Sequence, residues 1–510
     1  MEALIGKART ATLNGIDALE VLVEAGTWGM KPRFTIVGLP DSAVKESAER
    51  VKTAIRSSGY ILPPRDITVN LAPADTRKEG PALDLPIAVA VLSASEQVPL
   101  AGFEDTIIVG ELGLEGDIRP INGAVSIALM AQNLGARRLV LPEENAKEAT
   151  IAQGVDVFPV THLREVCDLL QNPLSRDPLP AHDFFAEMLP DYGVDFGDVK
   201  GQQQAKRALE IAAAGGHNVI LIGPPGSGKT MLARRMPTVL PPLALEEAIE
   251  VTRIYSSAGM MDGRQGLIWE RPFRSPHHSA SHASIVGGGK TPRPGQVSLS
   301  HHGVLFLDEM PEFDRNTLEG LRQPLEDGVV SVSRVQASVD YPAEMILVGA
   351  MNPCPCGYYG DRMKPCQCTQ DQIKRYAGRI SGPLLDRIDM HVLVPRLTQD
   401  ELLATKSSEP SGQIRERVTR ARTLQRQRFS ESKTKTNARM SVKELKELCP
   451  LDEPMKQMLS SVSERMGISA RVFDRVIRVS RTIADLAGDE QLNANHLAEA
   501  VQYRTLDRSL

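Results

Sequence analysis

The stretch NVILIGPPGSGKT, residues 218–230, decides the fold of the region around it. Its apolar run predicts a buried strand, and GPPGSGKT fits G-x-x-x-x-G-K-[ST], a loop whose backbone N–H groups close around phosphates. The helix expected from Lys229 onward directs its positive N-terminal end at such an anion. Strand, glycine loop and helix in this order predict a P-loop α/β domain that binds the phosphates of ATP.

The chemistry of phosphate binding gives individual residues of this loop their roles. Lys229 neutralises charge on the β- and γ-phosphates, and the Thr230 hydroxyl is a ligand for Mg²⁺. ATP and Mg²⁺ are therefore the expected cofactors. The predicted nucleotide-binding residues are Gly223, Pro224, Pro225, Gly226, Ser227, Gly228, Lys229, Thr230 and Met231.

A second motif, GVLFLDE at residues 303–309, completes the expected nucleotide site. Its apolar residues predict a buried strand, after which Asp308 holds Mg²⁺ through water and Glu309 orients or deprotonates the attacking water. The strand ILVGAMN ends at Asn352, whose amide can position that water. The same asparagine can also begin the turn NPCP, and the two interpretations are compatible.

Length and composition bound the rest of the chain. Its 510 residues exceed what one hydrophobic core supports, so two or three domains are expected. The formal net charge of -5, from 59 basic and 64 acidic side chains, does not mark a nucleic-acid binder but leaves room for a local basic surface. The N-terminus lacks a long apolar signal segment, and the most apolar stretch, residues 83–94, is too short and acidic to span a bilayer. We therefore expect a cytoplasmic protein without a membrane partner.

Three domains and one linker are predicted along the chain. Alternating strands and helices come first, and a stretch rich in proline and aspartate follows as a linker. The P-loop α/β domain is next, and a helical domain closes the chain. The predicted ranges of these four parts are 1–172, 173–194, 195–395 and 396–510. The predicted fold class is thus α/β, with a C-terminal α-helical lid domain.

Longer motifs resemble known families of ATPases. The segments PGQVSLSHHGVLFLDEMPEF, GVVSVSRVQASVDYPAE and GPLLDRIDMHV resemble AAA+ ATPases of the branch that contains magnesium-chelatase subunit I and MCM helicases. The segments GLPDSAVKESAERVKTAI, DVKGQQQAKRALEIAAAGGHN and RPFRSPHHSASHASIVGGG resemble the ComM/YifB family. This second resemblance runs nearly from end to end.

The resemblance implies a function and a set of partners. It implies a homohexameric DNA helicase that drives branch migration on single-stranded and branched DNA in natural transformation and homologous recombination, with recombination proteins as further partners. A motor that remodels a protein or chelatase partner, like magnesium-chelatase subunit I, stays open as the alternative. The N-terminal domain favours the DNA motor, because the chelatase subunit lacks it.

The resemblance also assigns two arginines. Arg387 in LLDRID matches the arginine finger, which reaches the γ-phosphate held by a neighbouring subunit and makes hydrolysis depend on assembly. A surface salt bridge with Asp386 or Asp389 is the alternative for this residue, and Arg379 is the other candidate for the finger. Arg471 matches the sensor 2 arginine of the helical domain, and an exposed arginine on a helix is the alternative there.

The N-terminal domain resembles the proteolytic domain of Lon in KEGPALDLPIAVAVLSA and VGELGLEGDIRPINGAVSIAL. Lon chemistry needs a serine nucleophile after Gly-Pro and a lysine base in the second motif. Ala82 stands at the nucleophile position, and NGAVSI contains no lysine, so covalent catalysis cannot occur there. We therefore expect a non-proteolytic Lon-like domain, and ATP-dependent proteolysis is disfavoured.

Four cysteines lie close together in CPCGYYGDRMKPCQC, at positions 354, 356, 366 and 368. Two C-x-C pairs separated by a turn can surround Zn²⁺ tetrahedrally, and a reducing compartment favours metal over disulfides. Cys354, Cys356, Cys366 and Cys368 are therefore candidate ligands of a structural zinc ion. Four free thiols in a loop are the alternative, since C-x-C is a tighter spacing than the usual C-x₂-C.

Two basic loops are candidates for DNA contact, because an acidic protein must concentrate positive charge locally to hold DNA. Lys290 and Arg293 lie in GGGKTPRPG, and Arg334 lies near the turn expected within VSVSRVQASV. In the chelatase and MCM branch, by resemblance, both insertions line the central pore. The segment 412–440 carries nine basic and two acidic residues, and a solvated helix face and a nucleic-acid role are both open for it.

Overall fold

The structure is a computed structural model, and its described residues are 4–29, 31–100, 103–184, 192–263, 266–289, 292–333, 338–361, 363–399, 401, 408–432, 434–466 and 470–504. Contacts divide the chain into two compact units, called here unit 1 (residues 1–188 and 245–268) and unit 2 (residues 189–244 and 269–510). Unit 1 is α/β, and unit 2 joins an α/β part to a C-terminal helical part. The predicted fold class is confirmed.

The described part of unit 1 has nine strands: β1 Ile5–Asn14, β2 Asp17–Trp28, β3 Phe34–Val37, β4 Asp66–Ala72, β5 Thr106–Ile108, β6 Glu111–Leu112, β7 Ile118–Arg119, β8 Arg138–Pro142 and β9 Asp156–Val160. Seven of them form one sheet in the order β3-β4-β2-β1-β5-β8-β9, and β6 pairs with β7. The β1–β2 and β2–β4 pairs are antiparallel, and the other pairs of the large sheet are parallel. Alternate residues of β4 are buried, as period-two patterning predicts.

Among its described residues, unit 1 also has six α-helices: α1 Ser42–Ser57, α2 Asp84–Ala94, α3 Ala124–Asn133, α4 Glu143–Ala149, α5 Leu163–Gln171 and α8 Leu245–Ser257. Asp41 caps α1 by accepting a hydrogen bond of 2.8 Å from Val44 N. Helix α2, the most apolar stretch of the chain, is almost wholly buried and packs on β1 and β2. Its apolar composition therefore reflects a core helix.

Helix α8 belongs to unit 1, although its sequence lies within the predicted range 195–395. Arg253 of this helix pairs with Asp17 and donates to Ile16 O at 3.2 Å. Gly123 N donates to Ser256 O at 3.0 Å. Long-range contacts such as these assign residues 245–268 to unit 1, since the local sequence of α8 is that of an ordinary amphipathic helix.

The first part of the predicted linker, 173–194, also contacts unit 1. Leu179 N donates to Val157 O at 2.7 Å, next to the start of β9. Arg176 lies 3.1 Å from the Glu165 carboxylate. Proline and aspartate mark the end of regular structure here, while the backbone still follows the edge of the sheet.

Unit 2 has nine strands among its described residues: β10 Val219–Ile222, β11 Phe273–Arg274, β12 Gly287–Gly288, β13 Arg293–Pro294, β14 Val304–Leu307, β15 Val329–Ser333, β16 Ser338–Pro342, β17 Ile346–Met351 and β18 Met390–Leu393. Five form a parallel sheet in the order β11-β14-β17-β10-β18. Strands β10, β14 and β17 are buried throughout, so their carboxyl ends meet at one edge of a covered sheet. Strands β12–β13 and β15–β16 form two antiparallel ribbons.

The described helices of unit 2 are α6 Gln203–Gly215, α7 Lys229–Val239, α9 His282–Ile285, α10 Gln296–Leu299, α11 Arg315–Gly320, α12 Arg322–Asp327, α13 Gln370–Ala377, α14 Gly382–Leu385, α15 Ser411–Arg428, α16 Val442–Leu448, α17 Glu453–Met466, α18 Ala470–Ala487 and α19 Ala494–Gln502. Helices α15 and α18 pack on α6 and share its apolar core. Across the described parts of both units, no helix has the length and apolar character needed to cross a membrane.

Candidate functional site

The P-loop connects β10 to α7 at the carboxyl edge of the parallel sheet. Gly226 and Gly228 adopt left-handed backbone angles, with φ of 77° and 90°. A Cβ atom at either position would meet nothing within 4 Å, so both glycines border open space. Gly228 directly precedes α7, so the unpaired N–H groups of that helix begin at the loop. The loop thus has the room and the donors that a phosphate requires.

The Lys229 ammonium group is bound to uncharged oxygens at the base of the loop. Its Nζ donates to Gly223 O at 2.7 Å, to Pro224 O at 3.0 Å and to Asn352 Oδ1 at 3.4 Å. The side chain is buried, and this burial lowers the pKa of Lys229. A phosphate would offer this buried cation a stronger, charge-assisted partner than these carbonyls.

The two predicted Mg²⁺ ligands are in direct contact. Thr230 Oγ1, at the start of α7, donates to Asp308 Oδ2 at 2.8 Å. Asp308 directly follows β14. Hydroxyl and carboxylate oxygens are the hard ligands that Mg²⁺ prefers. The structure therefore brings a suitable oxygen pair to the mouth of the P-loop.

Glu309 and Asn352 lie at the same edge of the sheet, after the neighbouring strands β14 and β17. Glu309 has a left-handed φ of 49° and an exposed side chain. His278 Nδ1 lies 3.9 Å from Glu309 Oε2, a neighbour that the sequence motifs do not indicate. The carboxylate proposed to act on water is thus beside both the Mg²⁺ ligands and a titratable imidazole.

ATP and Mg²⁺ fit the groups at this edge. Ser227 Oγ is buried and has no hydrogen-bond partner among the described residues, so the loop offers an unused donor. Lys229 would hold phosphate oxygens, and Thr230 and Asp308 would hold the metal. Met231 is exposed on the first turn of α7, where it can only border the nucleotide.

A second charged site in unit 2 is a cavity of about 260 Å³, called here the arginine cavity. Among the described residues, neither the P-loop nor the two carboxylates after β14 line it. Five arginines against three carboxylates leave an excess of positive charge, which favours an anionic ligand. The charged residues that line it are Arg387, Arg439, Arg471, Arg475, Arg478, Glu326, Asp386 and Asp389.

Arg387 lies in this cavity and pairs with Glu326 of α12. Its Nε donates to Glu326 Oε2 at 3.1 Å, and its Nη2 contacts the same oxygen. The surface salt bridge expected as the alternative is therefore present, but its partner is neither Asp386 nor Asp389. Arg379 lies elsewhere and pairs with Glu312 at 2.7 Å.

Arg471 is exposed and lines the same cavity as Arg387. The sequence analysis missed the support beneath them. Arg475 pairs with the buried Asp389, which also lies 3.3 Å from His217 Nδ1. Burial opposes ionisation of Asp389, but Arg475 and His217 outweigh it and lower the pKa of this carboxyl. An ionised Asp389 therefore anchors the cavity wall.

Of the predicted DNA contacts, Arg293 is exposed on the short strand β13. Lys290 and Arg334 lie outside the described residues. The ribbon β12–β13 pairs Gly288 with Arg293, and the hairpin β15–β16 pairs Ser333 with Ser338. The predicted hairpin is confirmed, and Arg334 follows directly from its first strand.

The two ribbons that carry these basic residues pack against each other. Tyr341 of β16 donates from its hydroxyl to Pro292 O at 3.0 Å. A Cβ on Gly287 of β12 would lie 3.5 Å from Val332 Cγ2 of β15. The described parts of the two ribbons are therefore neighbours, although they are separated in sequence.

Several arginines of segment 412–440 contact the protein itself. Arg417 Nε donates to Glu210 Oε1 at 2.6 Å, and Arg422 Nη2 donates to Ala213 O at 2.9 Å. Both contacts attach α15 to α6. These partners favour a packing role for the charge run over a nucleic-acid role.

The four cysteine sulfurs converge, as the spacing predicts. Cys354 Sγ lies 3.3 Å from Cys356 Sγ and 3.6 Å from Cys366 Sγ, and all four sulfurs lie within 4.8 Å of one another. Thiolates at about 2.3 Å from a tetrahedral zinc ion lie about 3.8 Å apart. The sulfurs are free thiols at distances that a single zinc ion would span.

The Lon-like position in unit 1 carries no nucleophile. Ala82 lies in the short turn Pro81–Leu83, and its carbonyl accepts a hydrogen bond of 2.9 Å from Gly110 N. The second Lon-like motif leads into α3, which has no lysine. The two Lon-like motifs therefore lack the serine and the lysine that Lon chemistry needs.

Three domain families match the chain in succession. "Subunit ChlI of Mg-chelatase" matches residues 22–145, and "Magnesium chelatase, subunit ChlI" matches residues 195–402. The first match counts against the expectation that the chelatase subunit lacks the N-terminal domain. "Magnesium chelatase, subunit ChlI C-terminal" matches residues 408–504. A Lon protease of Rhizobium meliloti is 30% identical over 29% of this chain and 20% of its own length, in the N-terminal region.

Two relatives match along almost the whole length. The uncharacterized protein YifB of Salmonella typhimurium is 44% identical, over 97% of this chain and 96% of its own length. The competence protein ComM of Haemophilus influenzae is 42% identical with the same coverage. The chain belongs to the ComM/YifB family, with a central AAA+-type domain of the magnesium-chelatase subunit ChlI kind.

Proposed function

We propose that the protein is a cytoplasmic, ATP-hydrolysing hexameric ring that translocates on DNA. It acts as a helicase and branch-migration factor in natural transformation and homologous recombination. The observation that carries the ATPase part is the convergence of Lys229, Asn352, Thr230 and Asp308 at one sheet edge. DNA as the client is supported by the relative named as a competence protein.

Bound ATP and Mg²⁺ supply the phosphoryl group and the neutralisation of its charge. Lys229 exchanges its carbonyl partners for phosphate oxygens, and Thr230 and Asp308 provide oxygen ligands for the metal. Glu309 accepts the proton of the attacking water on its carboxylate, and the Asn352 amide orients that water. Each of these residues follows a strand of the parallel sheet, so the backbone sets their spacing.

The arginine cavity is proposed to complete the nucleotide site of a neighbouring copy. Arg387 and Arg471 line the cavity and not the P-loop of their own chain. An anion-attracting cavity on one copy and a phosphate-binding loop on the next form a complete site only in an assembly. Hydrolysis would then require the ring.

DNA is proposed to bind at the surface formed by the two ribbons. Arg293, with Lys290 and Arg334 from the sequence, would grip phosphates without reading bases. ATP-linked movement of the hairpin would then move the strand. Binding of this kind weakens steeply with salt, because each neutralised phosphate releases counterions.

ATP-dependent branch migration on a labelled three- or four-strand junction tests the proposal. Arg334→Ala should retain ATP turnover without DNA and lose both strand displacement and stimulation by DNA. Arg420→Ala, which removes an exposed arginine of α15, is the charge-matched control. Full unwinding by Arg334→Ala would contradict the hairpin mechanism. A protein-remodelling or chelatase-type motor, the alternative, would leave this variant nearly neutral.

The four-cysteine cluster is proposed to bind one structural zinc ion per chain. The support is the mutual approach of the sulfurs to distances that zinc thiolates adopt. Elemental analysis should find one equivalent of zinc. Purified protein with no zinc and four freely titratable thiols would contradict the assignment.

A further inference from the structure

The four-cysteine loop, residues 354–368 and called here the cysteine knuckle, lies against the P-loop. It begins two residues after Asn352, whose Oδ1 accepts from Lys229 Nζ. Gly357 of the knuckle is buried and has a φ of +86°. A Cβ on Gly357 would lie 2.7 Å from Pro225 Cδ and 3.9 Å from Asn352 Cγ. The backbone of the knuckle therefore contacts the P-loop and the neighbouring amide at the same point.

Arg396, which follows β18, makes a second link between the same two segments. Its Nη2 donates to Pro225 O at 3.4 Å, and its Nε lies 3.9 Å from the Asp361 carboxylate of the knuckle. The guanidinium group also lies over the Tyr358 ring, at 5.8 Å from the centroid. A basic side chain thus joins the P-loop backbone to an acidic and an aromatic side chain of the knuckle.

The described part of the knuckle has no regular secondary structure and few buried residues to fix its conformation. Its described residues include no helix or strand, and Cys354 and Gly357 are the buried ones among them. Tyr359 N donates to Cys354 Sγ at 3.3 Å, and Cys368 N donates to Cys366 Sγ at 3.4 Å. The sulfurs are therefore the centre on which the loop is organised, and a metal ion between them would hold it rigid.

We propose that the cysteine knuckle is a metal-held buttress of the P-loop, so that zinc occupancy and nucleotide affinity raise each other. The inference rests on the proposed ATP and zinc sites and adds a coupling between them. Without the metal, Gly357 no longer holds Pro225, and the loop loses the conformation that receives phosphates. Coupling between two binding sites is reciprocal. If bound zinc raises the affinity for the nucleotide by a given factor, the bound nucleotide must raise the affinity for zinc by the same factor.

The first test measures both halves of this reciprocity on the full chain. The dissociation constant of a fluorescent, non-hydrolysable ATP analogue is measured before and after a chelator removes zinc. We expect about a tenfold loss of affinity, within the usual range of such couplings. The same analogue at saturation should raise the affinity for zinc about tenfold, read by competition with a colorimetric chelator. Equal nucleotide affinity with and without zinc would overturn the proposal.

Substitutions at two glycines distinguish the effect of the Gly357–Pro225 contact from the effect of the metal. Gly357→Ala places a methyl group against Pro225, whereas Gly360→Ala, at a similar φ of +77°, meets nothing within 4 Å. Both variants carry the same kind of backbone strain in the same loop. We expect zinc to stay at one equivalent in both, with weaker nucleotide binding in Gly357→Ala alone. Equal nucleotide affinities in the two variants would overturn the buttress.

The outcomes also distinguish a failure of the proposed coupling from a failure of the proposed ATP or zinc site. A wild-type chain that binds zinc but no nucleotide contradicts the proposed ATPase. A chain that binds nucleotide but no zinc leaves the ATPase standing and overturns the metal-held buttress.

Discussion

The P-loop edge and the arginine cavity are two charged sites of unit 2 that are built in opposite ways. At the P-loop edge, each functional group follows a strand of one parallel sheet or begins the helix after it, so the backbone fixes it. In the arginine cavity, side-chain pairs set the positions, such as Arg387 with Glu326 and Arg475 with Asp389. The first site has ligands for metal and phosphate, and the second has a surplus of positive charge.

This difference indicates how the P-loop edge and the arginine cavity complement each other. At the P-loop edge the buried cation is Lys229, and Arg396 contacts the loop at the Pro225 carbonyl. The described lining of the arginine cavity has five arginines and none of the P-loop residues. A phosphate-binding loop in one site and surplus positive charge in the other are the arrangement expected when one copy completes the site of the next. The predictions below challenge this complementarity.

The largest effect is expected from Arg387→Ala. Loss of an arginine that stabilises transferring phosphoryl charge reduces turnover by about 10³-fold or more. Nucleotide affinity should stay near that of the wild type, because Arg387 lies away from the P-loop of its own chain. Steady-state ATPase rates and analogue binding measure the two quantities. Arg379→Ala, which removes an arginine paired with Glu312, is the matched control and should retain turnover.

Mixing variants tests whether Arg387 acts on another copy. Arg387→Ala and Lys229→Ala chains are each inactive when pure. A mixture should regain part of the activity, because some interfaces join an intact finger to an intact P-loop. A mixture that stays inactive while its subunits exchange would show that both sites act within one chain.

A smaller loss is expected from Glu309→Gln. Removing a general base costs about 10²- to 10⁴-fold in turnover. The amide keeps the size of the side chain, and Thr230 and Asp308 remain available to the metal, so ATP should still bind. Isothermal titration and single-turnover hydrolysis measure the two effects. Normal turnover would remove Glu309 from the mechanism.

The contrast between the two sites also explains what the sequence could predict. The P-loop edge is encoded in short segments, because a strand, its turn and the next helix are neighbours in the chain. Thr230 and Asp308 are accordingly in contact, and Lys229 begins α7 next to Thr230, as their motifs indicate. The helix cap at Asp41 was predictable for the same reason, since cap and helix are adjacent.

The arginine cavity was only partly predictable, because its geometry depends on distant pairings. Resemblance assigned Arg387 and Arg471. No sequence motif identifies Glu326 of α12 as the partner of Arg387. The buried support of Asp389 by His217 and Arg475 likewise joins three separate segments. The membership of α8 in unit 1 was missed for the same reason, since the contact of Arg253 with Asp17 spans most of unit 1 in sequence.

Asp389→Asn should destabilise unit 2 by about 3 kcal/mol at neutral pH, because it leaves Arg475 without its buried partner. The native pKa of Asp389 is lowered, so its stabilising contribution is complete above the unfolded pKa of about 3.9 and is lost as pH falls toward the native value. The difference in unfolding free energy between wild type and variant should therefore become smaller below about pH 4. Urea unfolding at pH 7 and at acidic pH measures it. A difference in unfolding free energy that does not depend on pH would show that the charge of the Asp389 carboxylate does not stabilise unit 2.

The smallest effect is expected from Glu326→Ala. An arginine already paired must leave its carboxylate before it can reach a phosphate, so removing Glu326 should raise ATPase activity. Because the Glu326 side chain is 60% exposed, the pair contributes at most about 1 kcal/mol, which limits the increase to about fivefold. The increase should vanish in high salt, which screens this pair. Glu312→Ala, which frees Arg379 instead, should leave the rate unchanged. If Glu326→Ala lost activity as Arg387→Ala does, the Glu326 carboxylate would be needed to position Arg387. The function of the cavity would then depend on its acidic residues as well as on its arginines.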